Sequence, residues 1–472
     1  MPSRDRSTSA AEFRGLPGSV ALPEDPEFPS LRKPFVSGLV EQVPQAVAQC
    51  ASPAEVAAAV AFAQDRKLPF AVRSGGHSFA DLSSTDGLLI DLGRMDAVQL
   101  DGELVTVGPG LRLGRLAERL IEHGRVLPCG WSPVVGVGGA LLGGGFGVLS
   151  RYLGLGCDHL AAAQVVLADG RMAWVDEAHE PELFWALRGA GWAGFGVVTA
   201  LVLRTYPAPR LTRFVHRWPW SRAAEVIDAW QRWAPSAPAE VNAELALHAA
   251  DSLREPQVTL FGAVVGTAAD ARALLAELWS RVDPDGEVDE LTELSARASA
   301  VRHTFAGMPV ADHSLPMTMG QRPWLRRVRT EFFDRPIPAE AVGALVAALP
   351  ADPGPGQFRE VELIPWGGAY RRLAPDATAF PHRQSLFQIG HHGLAGHQAT
   401  DEERAALAGW VDRSWQTVHP WGSGRVYPNY PDRALAGWAE AYFGGNLPRL
   451  REIKSRYDPD DVFRSAQSVP PG

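Results

Sequence analysis

The chain has 472 residues, enough for two domains, and its 46% apolar and 21% charged residues are those of a soluble globular protein. A net charge of −9, with no basic cluster interleaved with aromatics, argues against a nucleic-acid partner. Three cysteines (Cys50, Cys129 and Cys157) cannot all pair and form no CxxC, which speaks against a disulfide scaffold or a structural zinc site.

In chain order, residues 1–35 are rich in Pro and charge and are expected as an N-terminal arm. They contain no signal-type apolar segment, and no stretch of about 18 apolar residues follows, so a cytoplasmic protein without a membrane partner is expected. Ser52-Pro53-Ala54-Glu55 has the pattern of a helix start, with Ser at the N-cap, Pro at the first helical position and Glu at the third; the helix runs to about Arg66. Strands are predicted at 70–72, 87–92 and 104–108, the last leading into a helix through Leu120. A hairpin follows, 163–167 and 172–175 around Ala168-Asp169-Gly170. Beyond the Pro-rich joint Tyr206-Pro207-Ala208-Pro209 come helices near 222–233, 268–281 and 338–349 and strands at 258–265, 358–364 and 385–389, read as a second domain. The predicted division is 1–35, 36–207, 208–421 and 422–472, with no internal repeat.

Three glycine clusters carry the chemistry. In Arg73-Ser74-Gly75-Gly76-His77-Ser78, paired glycines let the backbone approach a phosphate and offer it successive N–H groups, with His77 beside whatever the phosphate carries. Alone, this is equally an ordinary turn with a surface histidine. The second cluster is Ser132-Pro133-Val134-Val135-Gly136-Val137-Gly138-Gly139, continuing through Gly143-Gly144-Gly145-Phe146-Gly147. It lacks the Gly-Lys-Ser/Thr ending of a P-loop and opens no N-terminal βαβ unit, so neither nucleotide fingerprint fits. Glycine at that density requires the backbone to pass close to something flat or charged. The third cluster, Arg188-Gly189-Ala190-Gly191, leads into Phe195-Gly196-Val197-Val198.

This order of motifs resembles the FAD-linked oxidases of the berberine bridge enzyme type, in the vanillyl-alcohol oxidase / p-cresol methylhydroxylase superfamily. The C-terminus matches too, through Tyr427-Pro428-Asn429-Tyr430, Tyr442-Phe443-Gly444-Gly445-Asn446, and Lys454 with Tyr457-Asp458-Pro459-Asp460-Asp461-Val462-Phe463 and Gln467-Ser468. The resemblance spans roughly 40–210 and 360–472. It implies an α+β fold: a two-part FAD-binding domain of the p-cresol methylhydroxylase type, completed by the C-terminal segment, and a substrate domain whose antiparallel sheet is covered by helices. It further implies FAD joined covalently to His77. Such an imidazolyl substituent withdraws electrons and makes the flavin a stronger oxidant. Many relatives add a second link from a cysteine where this chain has Ser132. A hydroxyl is a poor nucleophile beside a thiolate, so a single bond is expected. Cys129 is open to two readings, a small buried apolar side chain or, with a shifted loop, a group near the flavin.

The cofactor residues implied by the resemblance are Arg73, Ser74, Gly75, Gly76, His77 and Ser78, with Ser132, Pro133, Val135, Gly136, Gly138, Gly139, Gly143 and Gly147, and Val198, Asn429 and Asn446. Tyr430 matches the family's base, which takes the substrate's hydroxyl proton while hydride passes to the flavin. Its pKa near 10 would need lowering by a cation or hydrogen-bond donors. A core-packed strand tyrosine is the plain alternative. Strand alternation would put Tyr430 and Pro428 on one face and Tyr427 and Asn429 on the other. Phe380-Pro381-His382-Arg383 and Leu386-Phe387-Gln388-Ile389 also match, and Gln388 falls where relatives place a polar or acidic active-site residue; neutral Gln388 can position substrate but is no base. Phe146 stands where plant relatives often have tyrosine, and Val135 where relatives leave room for O2.

The activity implied is oxidation of an alcohol or amine carbon of a small organic substrate, secondary-metabolite or sugar-like, with O2 reduced to H2O2. Trp366, Trp410, Trp415 and Trp421 hint at an aromatic or glycosylated substrate. A flavin dehydrogenase, a cyclising or isomerising enzyme, and a non-catalytic flavin-binding protein remain as alternatives. His391, His392 and His397, near Asp401 and Glu402, raise a metal site, but adjacent histidines on a strand point to opposite faces and there is no HExxH helix, so no metal is expected.

Overall fold

The computed structural model describes residues 8–36, 42–130, 132–250, 253–283, 288–294, 324–350, 353–354, 356–396 and 399–472. Strands β1 (Ser19–Ala21), β2 (Ala46–Gln49), β3 (Phe70–Arg73) and β4 (Leu88–Asp91) form a sheet in the order β1-β2-β4-β3. Pairings β2/β4 and β3/β4 are parallel, and β1/β2 is antiparallel. The helix Pro53–Asp65 starts where its cap residues predict, with the Ser52 hydroxyl accepting from the Glu55 N–H at 3.3 Å. Its stripe Val56, Ala59, Val60 and Ala63 packs on this sheet.

Residues 8–36 correct the expectation of an arm. Ser9 and Glu12 form a capping box, β1 pairs with β2, and Phe13, Leu16, Val20 and Leu22 enter the same core. Burying such side chains contributes about 1.5–3 kcal/mol each. Four well-spaced apolar residues therefore outweigh a Pro- and charge-rich composition.

A second unit comprises β5 (Val98–Asp101), β6 (Leu104–Val107), β7 (Arg125–Val126), β8 (Leu160–Val166), β9 (Met172–Val175), β10 (Val197–Arg204) and β11 (Tyr206–Pro207). Five of these make an antiparallel sheet in the order β5-β6-β10-β8-β9, and β7 pairs with β11 alone. The β8–β9 hairpin forms at the predicted turn. The C-terminal segment returns here: Val426, Tyr442, Phe443, Leu450 and Ile453 share a core with Phe184 and Leu201.

Between these passes lies a seven-stranded antiparallel sheet of β12 (Leu211–Trp218), β13 (Val241–Ala250), β14 (Gln257–Val265), β15 (Glu290–Leu294), β16 (Trp324–Phe333), β17 (Gln357–Pro365) and β18 (Phe387–Gly396), in the order β15-β12-β14-β13-β17-β18-β16. One face is apolar, with Leu245, Leu247, Val361, Leu363 and Ile389, and packs under the helices Ala223–Trp233, Ala339–Ala348 and Asp401–Gln416. The other face looks back toward the glycine loops. The class is α+β. Among the described residues no helix is long and apolar enough to cross a membrane.

Buried charges tie the units together. The Arg151 guanidinium donates to the carbonyls of Val241 (2.7 Å) and Ala237 (2.6 Å) and to that of Trp366. Arg383 meets Asp158 in a two-pronged pair at 2.8 and 2.7 Å. Lys454, fully buried, donates to Asp458 at 2.6 Å and to the Gly194 carbonyl at 2.8 Å. Lys454→Met would strand the equally buried Asp458 carboxylate. Breaking a buried pair from one side costs about 3–5 kcal/mol, so the urea unfolding midpoint is expected to fall sharply; an unchanged midpoint would show that the pair contributes nothing net.

Candidate active site

β3 feeds the chain directly into the first glycine loop. Gly76 has φ +72°, a left-handed conformation that favours glycine, and its carbonyl accepts from the Val36 N–H at 3.1 Å. A Cβ on Gly75 would lie 2.3 Å from the Gly136 nitrogen, and one on Gly136 only 2.1 Å from the Ser74 hydroxyl. The two loops are thus pressed backbone to backbone. Arg112 pins them by donating to the carbonyls of Gly75 (2.9 Å) and Val134 (2.8 Å). Gly136→Ala must force them apart, and the variant is expected to purify as colourless apoprotein. Normal flavin absorbance in that variant would refute the backbone-contact argument.

These loops wall a cavity of about 500 Å³ that runs between the two smaller sheets and the inner face of the large one. Ser74, Gly75, Gly76, His77 and Ser78 line it, as do Ser132, Val135, Gly136, Gly138 and Gly139; Val198, Asn429 and Tyr430 complete the set of predicted residues found there. His77 is stacked on Phe35 with ring centroids 4.2 Å apart, and its Nε2 is buried without a partner. Burial, followed by the charges of Arg112 and Arg326, pushes its pKa down to about 3, so the imidazole is neutral. Trp192 adds a second buried, unpartnered donor in the same wall. A long cavity with glycine walls and orphaned polar nitrogens on His77 and Trp192 fits a flavin dinucleotide.

The segment Tyr427-Pro428-Asn429-Tyr430 is a turn, not the expected strand. The Tyr430 N–H donates to the Tyr427 carbonyl at 2.9 Å, and both rings sit on one side, 5.5 Å apart. Pro-Asn at the centre explains the turn, and all four residues line the cavity. The run Gly143–Gly147 is the socket for this turn. The Gly145 N–H donates to the Tyr427 hydroxyl at 2.7 Å, and a Cβ on Gly143 would lie 2.1 Å from Asn429 Oδ1. Tyr430 contacts Phe79 and Phe146 with centroids 5.4 and 6.0 Å apart. Its pKa is raised well above the usual value, by burial first and by Glu362 second, and Arg326 only opposes this. The chain's own groups therefore raise this pKa rather than supply the expected lowering.

Six predicted residues lie outside the cavity wall. Arg73 spends its guanidinium on the carbonyls of Leu31 (2.9 Å), Arg32 (3.0 Å) and Ser83 (3.0 Å), cross-linking loops rather than facing a phosphate. Pro133 packs against Gly114, Gly147 lies against the Cys129 carbonyl, and Gly143 serves the turn just described. Asn446 donates to the carbonyls of Pro375 (2.9 Å) and Thr378 (3.1 Å). Gln388 is fully buried, with its amide 3.5 Å from the Thr330 hydroxyl, one pleat too deep to reach the cavity. Cys129 sits beside Leu116, Leu120 and Leu149 in a separate small void, and burial pushes its thiol up to about 12. Of the tryptophans, Trp366 and Trp410 are core residues, and none of Trp366, Trp410, Trp415 and Trp421 lines the cavity.

His391 faces Ser414 (Nδ1 to Oγ, 2.9 Å) and His392 faces Arg326 (3.0 Å), on opposite sides of β18; His397 lies outside the described residues. Among the described residues no three ligating groups are placed to hold a metal. Sequence reasoning missed Arg326, Glu360 and Glu362, which form the sheet side of the cavity. The signal was the alternation Glu360-Val361-Glu362-Leu363, in which the polar face reads as solvent-exposed.

Comparison with known proteins agrees with this architecture. Residues 44–176 match the FAD binding domain family, and residues 426–470 match the berberine and berberine-like family. YvdP of Bacillus subtilis, an uncharacterized FAD-linked oxidoreductase, is 32% identical over 97% of this chain and 98% of its own length. The xylooligosaccharide oxidase of Thermothelomyces thermophilus is 31% identical over 91% of this chain and 87% of its own. Among solved structures, the carbohydrate oxidase of Microdochium nivale in complex with a substrate analogue superimposes with a TM-score of 0.85 at 27% identity, covering 98% of this chain and 99% of that one. The chain therefore belongs to the berberine bridge enzyme-like FAD-linked oxidases of the vanillyl-alcohol oxidase / p-cresol methylhydroxylase superfamily.

Proposed function

We propose that this oxidoreductase removes a hydride from an alcohol or amine carbon of a small organic substrate, sugar-like or a secondary metabolite, with FAD tethered through His77 alone and O2 as final acceptor. The observation that carries this is the neutral, buried imidazole of His77, whose Nε2 has no partner and borders the cavity that Tyr430 also lines. When bound in this cavity, FAD would supply the hydride acceptor and a route for the two electrons and two protons of the oxidation to reach O2.

The chain's own residues do the rest. Tyr430 takes the substrate's hydroxyl proton at its phenolic oxygen. The Tyr427 hydroxyl and the Asn429 amide, which donates to the Ala140 carbonyl at 2.8 Å, hold the turn that presents Tyr430. Ser132 offers the cavity a hydroxyl rather than a thiol, which supports a single tether. Val135 keeps that wall small and apolar. Relatives named as xylooligosaccharide and carbohydrate oxidases support a sugar-like substrate.

The test is anaerobic mixing of holoenzyme with a panel of sugars, alcohols and amines, followed by aerobic turnover. Flavin bleaching by a panel member, with stoichiometric H2O2 in air, is expected. Bleaching without peroxide would make the protein a dehydrogenase, and no bleaching by any member would overturn the reading.

A further inference from the structure

The inner face of the large sheet is unusually acidic for a buried surface. Glu360 and Glu362 follow one another on the cavity side of β17, since the intervening Val361 and the next residue, Leu363, belong to the helix-covered core. Glu362 lies opposite Gly390 in register, and the His392 ring fills the space over that glycine. Glu244 on β13 adds a third carboxyl behind them; it accepts from the Asn242 amide at 3.0 Å and pairs with the Glu362 carboxyl.

Against these carboxyls the described residues set one cation, Arg326. Its guanidinium is directed to His392 Nδ1 at 3.0 Å and lies 5.0 Å from the Phe79 ring centre. His392 Nε2 lies 3.7 Å from Glu362, and burial holds that imidazole neutral. Glu360 is 5% exposed, lines the cavity and accepts no hydrogen bond from the described residues. A buried, unpartnered carboxyl directed at a ligand cavity is costly unless the ligand completes it.

We propose that Glu360, backed by Glu362, anchors a protonated amine of the substrate. This rests on the oxidoreductase reading of the same cavity and narrows its substrate to small organic cations. A neutral polyol would leave the carboxyls either buried as uncompensated charge or protonated, whereas an ammonium offsets them directly. Phe79 and Tyr430, stacked at 5.4 Å beside the acids, add aromatic faces that favour a cation. An ammonium nitrogen has no lone pair to assist hydride loss from its own carbon, so the carbon oxidised lies on a separate group of the molecule.

The test titrates holoenzyme with benzylammonium and with benzyl alcohol, a neutral probe of the same shape, and follows the shift of the visible flavin band. Benzylammonium is expected to bind roughly tenfold tighter or better, and Glu360→Gln to remove that preference while leaving benzyl alcohol within about twofold. Glu362→Gln, expected to weaken the cation to a smaller degree, provides a second variant should the first fail to take up FAD. Equal affinities, no saturable shift with benzylammonium, or equal loss of both probes in the variants would each overturn the proposal. Failure of the oxidoreductase reading would show as flavin that no substrate reduces, and the binding ratio does not depend on that outcome.

Discussion

Tyr430→Phe is expected to lower kcat by roughly 10²–10⁴-fold, the contribution of a positioned general base, with FAD still bound. The substitution removes one oxygen and keeps the ring that packs on Phe79, Phe146 and His392. The pH profile separates a base from a packing residue. Burial and the Glu362 charge hold the proton on this phenol, so only a small phenolate fraction exists at neutral pH, and that fraction grows with pH. Accordingly, kcat/KM of the wild type is expected to climb through the alkaline range, and the climb to vanish in Tyr430→Phe. An inflection near pH 8 that persists in the variant would transfer the base role to Glu360, whose carboxyl burial pushes up to about 8. A small rate loss with the pH profile intact would leave Tyr430 as scaffold.

His77→Ala is expected to eliminate covalent flavin altogether. The ring it deletes is buried against Phe35 and carries an unpartnered nitrogen, and no other nucleophile of comparable character borders the cavity among the described residues. Ser132 offers a hydroxyl, and Cys129 is both outside the cavity and held as a thiol. Flavin in the variant should be released on denaturation, and any flavin retained should be reduced more slowly, because the electron-withdrawing imidazolyl substituent is gone. Flavin that stays with the denatured variant would identify a second attachment point.

The cofactor side of this site was legible because its signals are local. Glycines set close together and a histidine at the end of a turn report backbone needs that neighbours in sequence must satisfy, whereas the turn made by Pro428 and Asn429 between two tyrosines was read as a strand. The substrate side depends on what lies across the sheet. β13, β17 and β18 are buried on nearly their whole length, so the Glu360/Glu362 face, which alternation alone marks as solvent-facing, is covered by the glycine loops instead. Of the large sheet's strands only β14, β17 and β18 were anticipated; β12, β13, β15 and β16 were not. Arg73 and Asn446 carried the family pattern but serve backbone carbonyls, a distinction that only the fold reveals.

The most direct measurement is the intact mass and visible absorbance of the denatured wild-type chain, with peptide mapping of the yellow fragment. A chain heavier by one FAD, with the label on the peptide containing His77 and on no other, is the predicted result. An unlabelled chain, or a label on the peptide carrying Cys129 and Ser132, would contradict His77 as the single anchor.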